Sequence, residues 1–184
     1  FLKDSMGEAV FSPGINIVDD PLRPRGLRSK PFDGEGFLTS KKTLIEDGKL
    51  TTWILDLASA RQLGLASTGN ASRGTGGPPS PGATNIYLEA GEPTPEELMA
   101  DIEEGFYVTE LIGMGINGLT GDYSRGASGF WIEKGQIAFP VSEMTIAGNL
   151  NDMFKALRPA NDLVFKFGTD APTLRIDGMT VAGV

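Results

Sequence analysis

The 184-residue chain contains no histidine and no cysteine. Histidine is the common general base near neutral pH and the commonest metal ligand, and cysteine is the usual thiolate nucleophile and soft metal ligand. Their joint absence removes the Ser-His-Asp triad, the Cys-His dyad, the HExxH zinc helix and the Cys-rich zinc ribbon from what this chain can build alone. Any chemistry it carries falls to carboxylates, Lys, Ser/Thr, Tyr or backbone amides. A disulfide scaffold is excluded as well. Long apolar runs are missing: none approaches a membrane span, and no secretory signal is visible. Positive charge is scarce, with 16 Lys and Arg against 24 Asp and Glu and a net charge of −8. That balance argues against a phosphate-tracking nucleic-acid binder. Neither a membrane nor a nucleic acid is therefore an expected partner.

Glycine and proline are plentiful, at 25 and 12 residues, which favours turns over long helices. The length suits a single domain over residues 1–184, with enough chain to bury a sizeable core. The chain opens Phe1-Leu2-Lys3 rather than with Met, so it is expected to be a portion of a longer one.

Ile15 to Val18 reads as a strand. Phe37 to Glu46 and Lys49 to Leu55 read as a hairpin around Asp47-Gly48, a pair suited to the positive φ angles of a tight turn. Asp56 is placed to cap a short helix running to Leu63, with Gly64 as its stop. Gly64 to Ala83 holds six Gly and three Pro with one large apolar residue, Leu65. It reads as a mobile loop or one ordered by a partner. Thr84 to Glu89 reads as a strand. Thr94, Pro95 and Glu97 then form a capping box with proline at the first helical position. That helix is expected to carry Leu98 and Ile102 on one face and to end at Gly105.

Phe106 to Ile112 reads as a strand, and Ala127 to Ile132 with Gln136 to Val141 as a hairpin around Lys134-Gly135. Met144 to Ile146 continues the second strand. Asn149 or Asn151 can cap a helix carrying Met153, Phe154 and Leu157, which Pro159 stops. Leu163 to Phe167 and Thr173 to Ile176 read as strands, with a last apolar piece at Val181. Strands outnumber helices and their connections are short. The expected class is α+β, strand-dominated, with antiparallel curved sheets, sandwich- or barrel-like, and two or three short helices.

Gly113 to Gly118 matches GxGxxG after a strand. A dinucleotide fingerprint needs a helix to open there, and Leu119 to Gly126 is poor helix sequence, so a nucleotide site is not expected. The stretch nevertheless concentrates polar side chains between glycines. Asn117, Thr120, Asp122, Ser124 and Arg125, with Tyr123, are the candidate residues of a loop shaping a cleft; a tightly turned structural connection is the other reading. Asp19-Asp20 and Asp33 with Glu35 are carboxylate pairs better suited to turn and surface roles than to a cation. Arg23, Arg25, Arg28 and Lys30, and Lys41-Lys42, are local basic patches that could meet an acidic partner or simply face solvent.

The stretch from Gly113 to Leu150, GMGINGLTGDYSRGASGFWIEKGQIAFPVSEMTIAGNL, resembles the C-terminal half of the PmbA/TldD family, once called modulators of DNA gyrase, and more closely its PmbA (TldE) branch. Pro31-Phe32-Asp33-Gly34-Glu35-Gly36, Ser67-Thr68-Gly69-Asn70-Ala71-Ser72-Arg73 and Ala171-Pro172-Thr173-Leu174-Arg175-Ile176-Asp177-Gly178 carry the resemblance along nearly the whole chain, in the family's order. The resemblance implies a cytoplasmic metalloprotease complex of TldD and TldE subunits. Such a complex acts on flexible peptides, degrading antitoxins and trimming the leader of a peptide antibiotic. It further implies that the TldD-like partner holds zinc, on a His-containing motif in its amino-terminal half and a late Cys. Residues 160–171 here, where that Cys would fall, contain none. No catalytic residue carries over, and no cofactor is expected in this chain. The resemblance therefore implies a non-catalytic subunit that pairs with a TldD-like homologue. A homodimeric peptide- or protein-binding module is the alternative, and an independent carboxylate or Ser/Lys hydrolase the more distant one.

Overall fold

A computed structural model describes residues 4–183; the Phe1-Leu2-Lys3 opening lies outside them. In chain order the elements begin with β1 (Ile17–Asp19), β2 (Lys42–Glu46), β3 (Lys49–Leu50), α1 (Leu57–Leu63), β4 (Ala71–Ser72), β5 (Ser80–Pro81) and β6 (Ile86–Leu88). They continue with α2 (Pro95–Met99), β7 (Glu104–Ile112), β8 (Asp122–Glu133), β9 (Gln136–Asn149) and α3 (Leu150–Ala156). The last strands are β10 (Leu157–Pro159), β11 (Thr169–Asp170), β12 (Leu174–Ile176) and β13 (Thr180–Ala182). This is the strand-dominated α+β class with short helices that the sequence predicts; its sheets are mainly antiparallel, and none closes into a barrel. Among the described residues, no helix is long and apolar enough to cross a membrane.

Two compact units form. One comprises the chain up to Glu89 with Leu163–Pro172, and the other Ala90–Asp162 with the residues from Thr173 onward. In the first unit the sheet order is β11-β6-β1-β2-β3, with β1 antiparallel to both its neighbours and β11 parallel to β6. Ile15, Val18, Leu44, Ile45 and Leu88 form its apolar core. The β2–β3 turn forms at Asp47-Gly48 with φ of 49° and 78°, the positive pair that a two-residue hairpin turn demands. Helix α1 also forms as expected: the Asp56 carboxylate accepts from the Ser59 amide at 2.8 Å, and Gly64 ends the helix at φ 69°.

Four expectations in this unit are corrected: the second hairpin strand stops at Leu50, short of the expected Leu55, and in the other three a side chain captures backbone that a strand or a loose loop would have used. Phe37 to Lys41 is not strand: the Asp33 carboxylate takes the amides of Glu35 and Phe37, each at 2.9 Å, and turns the chain. Leu163 to Phe167 is not strand either. The Asp170 carboxylate accepts from the amides of Lys166, Phe167 and Gly168 at 2.8, 2.9 and 3.2 Å. Finally, the Gly64 to Ala83 stretch is ordered at its base by this chain itself. Asn70 and Ala71 are fully buried and β4 and β5 pair, while the run from Ser72 to Pro78 is exposed throughout.

The base of that loop ends in a buried polar network. Asp19 accepts from Asn70 Nδ2 at 2.7 Å, and from the amide and hydroxyl of Thr84, both at 2.7 Å. Asp19, Asn70 and Thr84 are all buried. The second carboxylate, Asp33, accepts from the Ala71 amide at 3.1 Å as well. Burial alone would raise its pKa, but the amides of Ala71, Phe37 and Glu35, with the Lys30 charge, outweigh it and hold it below the ordinary value. The two acids predicted for turns thus anchor the interior of the unit.

In the second unit an antiparallel sheet of order β13-β9-β8-β7 dominates, and β10 pairs with β12. Its core gathers Leu98, Ala127, Ile132, Ile146, Met153 and Leu157. The capping box of α2 is complete: the Glu97 amide donates to the Thr94 hydroxyl and the Thr94 amide to the Glu97 carboxylate. The helix, however, ends at Met99 and not at Gly105, leaving Ile102 outside it. The Leu98 carbonyl accepts from Arg175 Nη1 at 2.6 Å. The Ile102 and Glu103 carbonyls accept from the amides of Gly135 and Lys134 in the β8–β9 turn. These partners satisfy carbonyls that further helical turns would have used. Arg175 also pairs with Asp101 and, at 2.7 Å, with Asp177.

Candidate functional site

The stretch expected to be one loop, carrying Asn117 to Arg125 between glycines, is divided by the structure. Residues 113–121 form the connection, and β8 begins at Asp122. Gly126 and Gly129 are strand residues, opposite Ile112 and Val108 of β7. The strand continues this far because β9 pairs with β8 back to Asn149, through two irregularities in register. No helix opens after the GxGxxG match, so the glycines there present no helix N-terminus to a phosphate.

The connection folds back on the start of β8. The Ser124 amide donates to the Gly115 carbonyl at 2.7 Å, the Asn117 amide to the Asp122 carbonyl at 2.8 Å, and Ile116 bridges Tyr123. Gly115 is required by this approach, because a Cβ there would overlap the Ser124 carbonyl oxygen. Asn117 closes the far end: its side-chain oxygen accepts from the amides of Leu119 and Thr120, and its carbonyl from Gly121.

Of the five candidate residues, three meet. The Thr120 hydroxyl donates to the Asp122 carboxylate at 2.6 Å, and Asn117 holds the turn that sets both. Asn149, named in the sequence only as a helix cap, joins them. Its side-chain amide donates to the Thr120 carbonyl at 3.0 Å and to Asp122 at 3.4 Å, while its oxygen caps α3 at the Asn151 amide. Asp122 stands opposite Asn149 across β8 and β9. That register could not be counted from the Lys134-Gly135 turn without knowing the two irregularities. Ser124 shares the strand face of Asp122, and among the described residues no base is hydrogen-bonded to its hydroxyl. Arg125 points to the other face by strand alternation. There Nη2 reaches the Leu111 carbonyl at 3.3 Å, and Nε is buried without a partner.

An open depression of about 370 Å³ lies between the connection and β8, with Asn117, Asp122, Tyr123 and Ser124 on its polar side. Met114 and Ile116 form its apolar side, with Met114 wholly exposed, and Leu119 of the same connection is 84% exposed. Strand β7 forms one edge of the sheet. This arrangement presents a carboxylate, a hydroxyl, an apolar side and a strand edge, which suits binding of polypeptide. Among the described residues it joins no nucleophile to a base, as covalent catalysis would need.

Residues 1–183 match the sequence profile of the PmbA/TldA metallopeptidase C-terminal domain. The chain belongs to the PmbA/TldD family. Metalloprotease PmbA of Escherichia coli O157:H7 is 40% identical over the whole chain, which spans 39% of that protein. A metalloprotease TldD homolog of Haemophilus influenzae is 30% identical over 97% of the chain and 40% of its own length. Among solved structures, TldE of Thermococcus kodakarensis superposes with a TM-score of 0.86 at 28% identity, covering 99% of this chain and 42% of that one. The chain thus spans about two fifths of the length of the relatives it matches. Against the metal implied by the family description, the donors of this chain do not fit zinc. It has neither of the nitrogen and sulfur ligands zinc favours. Among the described residues, no three acidic side chains gather where a metal ion could sit.

Proposed function

We propose that this chain is the C-terminal portion of a non-catalytic, TldE/PmbA-like subunit of a TldD/TldE-type metalloprotease complex. The complex works in the cytoplasm on flexible peptides, with antitoxin degradation and peptide-antibiotic maturation as its roles. The observation that carries the reading is the donor set. A member of a family described as metallopeptidases, closer to a PmbA than to a TldD homolog, has no His or Cys in this domain. A metallopeptidase needs a Lewis acid that activates water. In this reading the zinc is held by a TldD-like partner, and the present chain supplies binding surface.

The residues of the second unit then take distinct parts. Edge strand β7 offers unpaired backbone groups to an extended segment. Asp122 and Ser124 line the polar side of the adjoining depression, oriented by Thr120, Asn117 and Asn149. Met114 and Leu119 give the partner or peptide an apolar foothold. The same exposed apolar side chains and edge favour a second reading, a homodimer that captures peptide without peptidase activity.

Size-exclusion chromatography of the full-length protein mixed with a TldD-like homologue separates the two. The subunit reading expects one co-eluting species that Met114→Glu with Leu119→Glu dissociates. Separate elution, with the present protein dimeric by itself, contradicts it and supports the second reading.

A further inference from the structure

Charge is unevenly shared between the units. The second holds 13 acidic and 5 basic side chains, while the first holds 11 of each. Within the first unit, cations gather where residues 22–30 pack on residues 164–170. The Arg23 guanidinium lies over the Phe165 ring at 4.1 Å, and Phe165 meets Tyr87 edge-to-face at 5.1 Å. The Arg28 side chain runs beside Gly168, and its Nη1 reaches the Thr169 hydroxyl at 3.5 Å. The ring contact restrains the Arg23 guanidinium and its donors before any partner arrives.

Those donors lack an acceptor. Arg23 Nε is buried without a hydrogen-bond partner, and among the described residues no ion pair involves Arg23, Arg25, Arg28 or Lys166. Asp170 feels the Arg23 charge through space, but its oxygens are committed to the amides of Lys166, Phe167 and Gly168. Nε is shielded from solvent, so an arriving acceptor meets the rest of the guanidinium, whose charge no ion pair among the described residues neutralises. Around these cations Leu22, Leu27 and Phe167 are each more than half exposed. Unpaired cations beside a run of exposed apolar side chains mark a contact surface of mixed chemistry.

We propose that this face docks an acidic protein segment punctuated by apolar residues. A carboxylate of the segment meets the Arg23 guanidinium, Arg25 and Lys166 attract its remaining charges, and its apolar side chains pack on Leu27 and Phe167. A free phosphate would leave the apolar surface unused. A long polyanion or an anionic membrane would meet the net −8 of the chain as well as this patch. The proposal rests on the first unit and is independent of the subunit role argued from the second.

The test is fluorescence anisotropy of the full chain with a labelled peptide alternating Glu with Leu and Phe. The expected result is saturable binding that weakens with salt. Arg23→Gln should weaken it about tenfold or more at unchanged melting temperature. Arg23→Lys, which keeps charge but not the planar fork, should restore only part. If Arg23→Gln fails to fold, the exposed pair Arg25→Gln and Lys166→Gln gives the same readout. Hydrogen exchange with the peptide bound should show protection at residues 22–30 and 164–170. The proposal is overturned by any of four outcomes: no binding, undiminished binding by the charge variants, equal binding of a peptide with Ser in place of Leu and Phe, or displacement by inorganic phosphate or anionic vesicles.

Discussion

Replacing Asn70 by Ala tests the claim that a polar network, rather than apolar packing alone, holds the first unit. Asn70 is fully buried and donates to the equally buried Asp19 carboxylate at 2.7 Å, while its oxygen accepts from the Thr68 hydroxyl at 2.9 Å. Removing it leaves one carboxylate oxygen without its donor and takes from the Thr68 hydroxyl the nearer of two acceptors, leaving it the Leu55 carbonyl at 3.1 Å. A hydrogen bond to a charged group contributes about 1.5–3 kcal/mol, and a lost neutral partner about 1 kcal/mol. Water entering the vacated space would recover part of this. The expected loss is therefore about 2–4 kcal/mol, or a fall in melting temperature of roughly 5–15 °C for a chain of this size. Circular dichroism melts of the single variants Asn70→Ala and Asp19→Asn and of the double variant give the assay. Because the two residues share one bond, the double variant should be less destabilised than the sum of the singles, by at least about 1 kcal/mol. A melting temperature for Asn70→Ala within about 1 °C of the parent, or strictly additive losses, would refute the reasoning.

Three further outcomes are expected. Asp33 has a folded pKa lowered from 3.8, so its contribution is present above that value and lost as pH falls through the lower folded one. Asp33→Asn should accordingly flatten the acid limb of a plot of melting temperature against pH below about pH 4; an unchanged limb would count against the amide cradle. Gly115→Ala forces a side-chain carbon onto the Ser124 carbonyl oxygen and should cost about 1–3 kcal/mol. In thermal melts it would appear as a lowered or broadened transition, and parent-like behaviour would show that the connection does not lie against β8 as described. Asp122→Ala should lower peptide cleavage by the complex with a TldD-like partner while leaving the melting temperature within about 2 °C. Arg125→Ala, on the opposite strand face, should affect cleavage less, and the reverse order would contradict the assignment of faces.

The local signals proved legible wherever a short-range rule decides the backbone. The Asp47-Gly48 and Lys134-Gly135 turns, the Thr94–Glu97 capping box and the Asp56 cap all form at the residues expected. What could not be read was set by partners distant in sequence. The end of α2 depends on Arg175, 77 residues away from Leu98. The anchoring of the glycine-rich loop depends on Asp19, 51 residues from Asn70. At the candidate site the sequence named the right neighbourhood but not its division. Glycines suggested loop, whereas a close cross-strand register starts the strand at Asp122, places Arg125 on the opposite face, and recruits Asn149. Strand alternation within Asp122 to Arg125 follows once the strand is known, and no local pattern announces that strand.

The account turns on whether peptidase activity belongs to the pair rather than to this protein. The direct measurement is cleavage of a flexible, unstructured peptide by three samples: the full-length protein alone, its TldD-like homologue alone, and the two together. The account predicts no cleavage by the first, little by the second, and strong, chelator-sensitive cleavage by the mixture. Chelator-resistant cleavage by this protein alone, or equal cleavage by the homologue with and without it, would contradict the account.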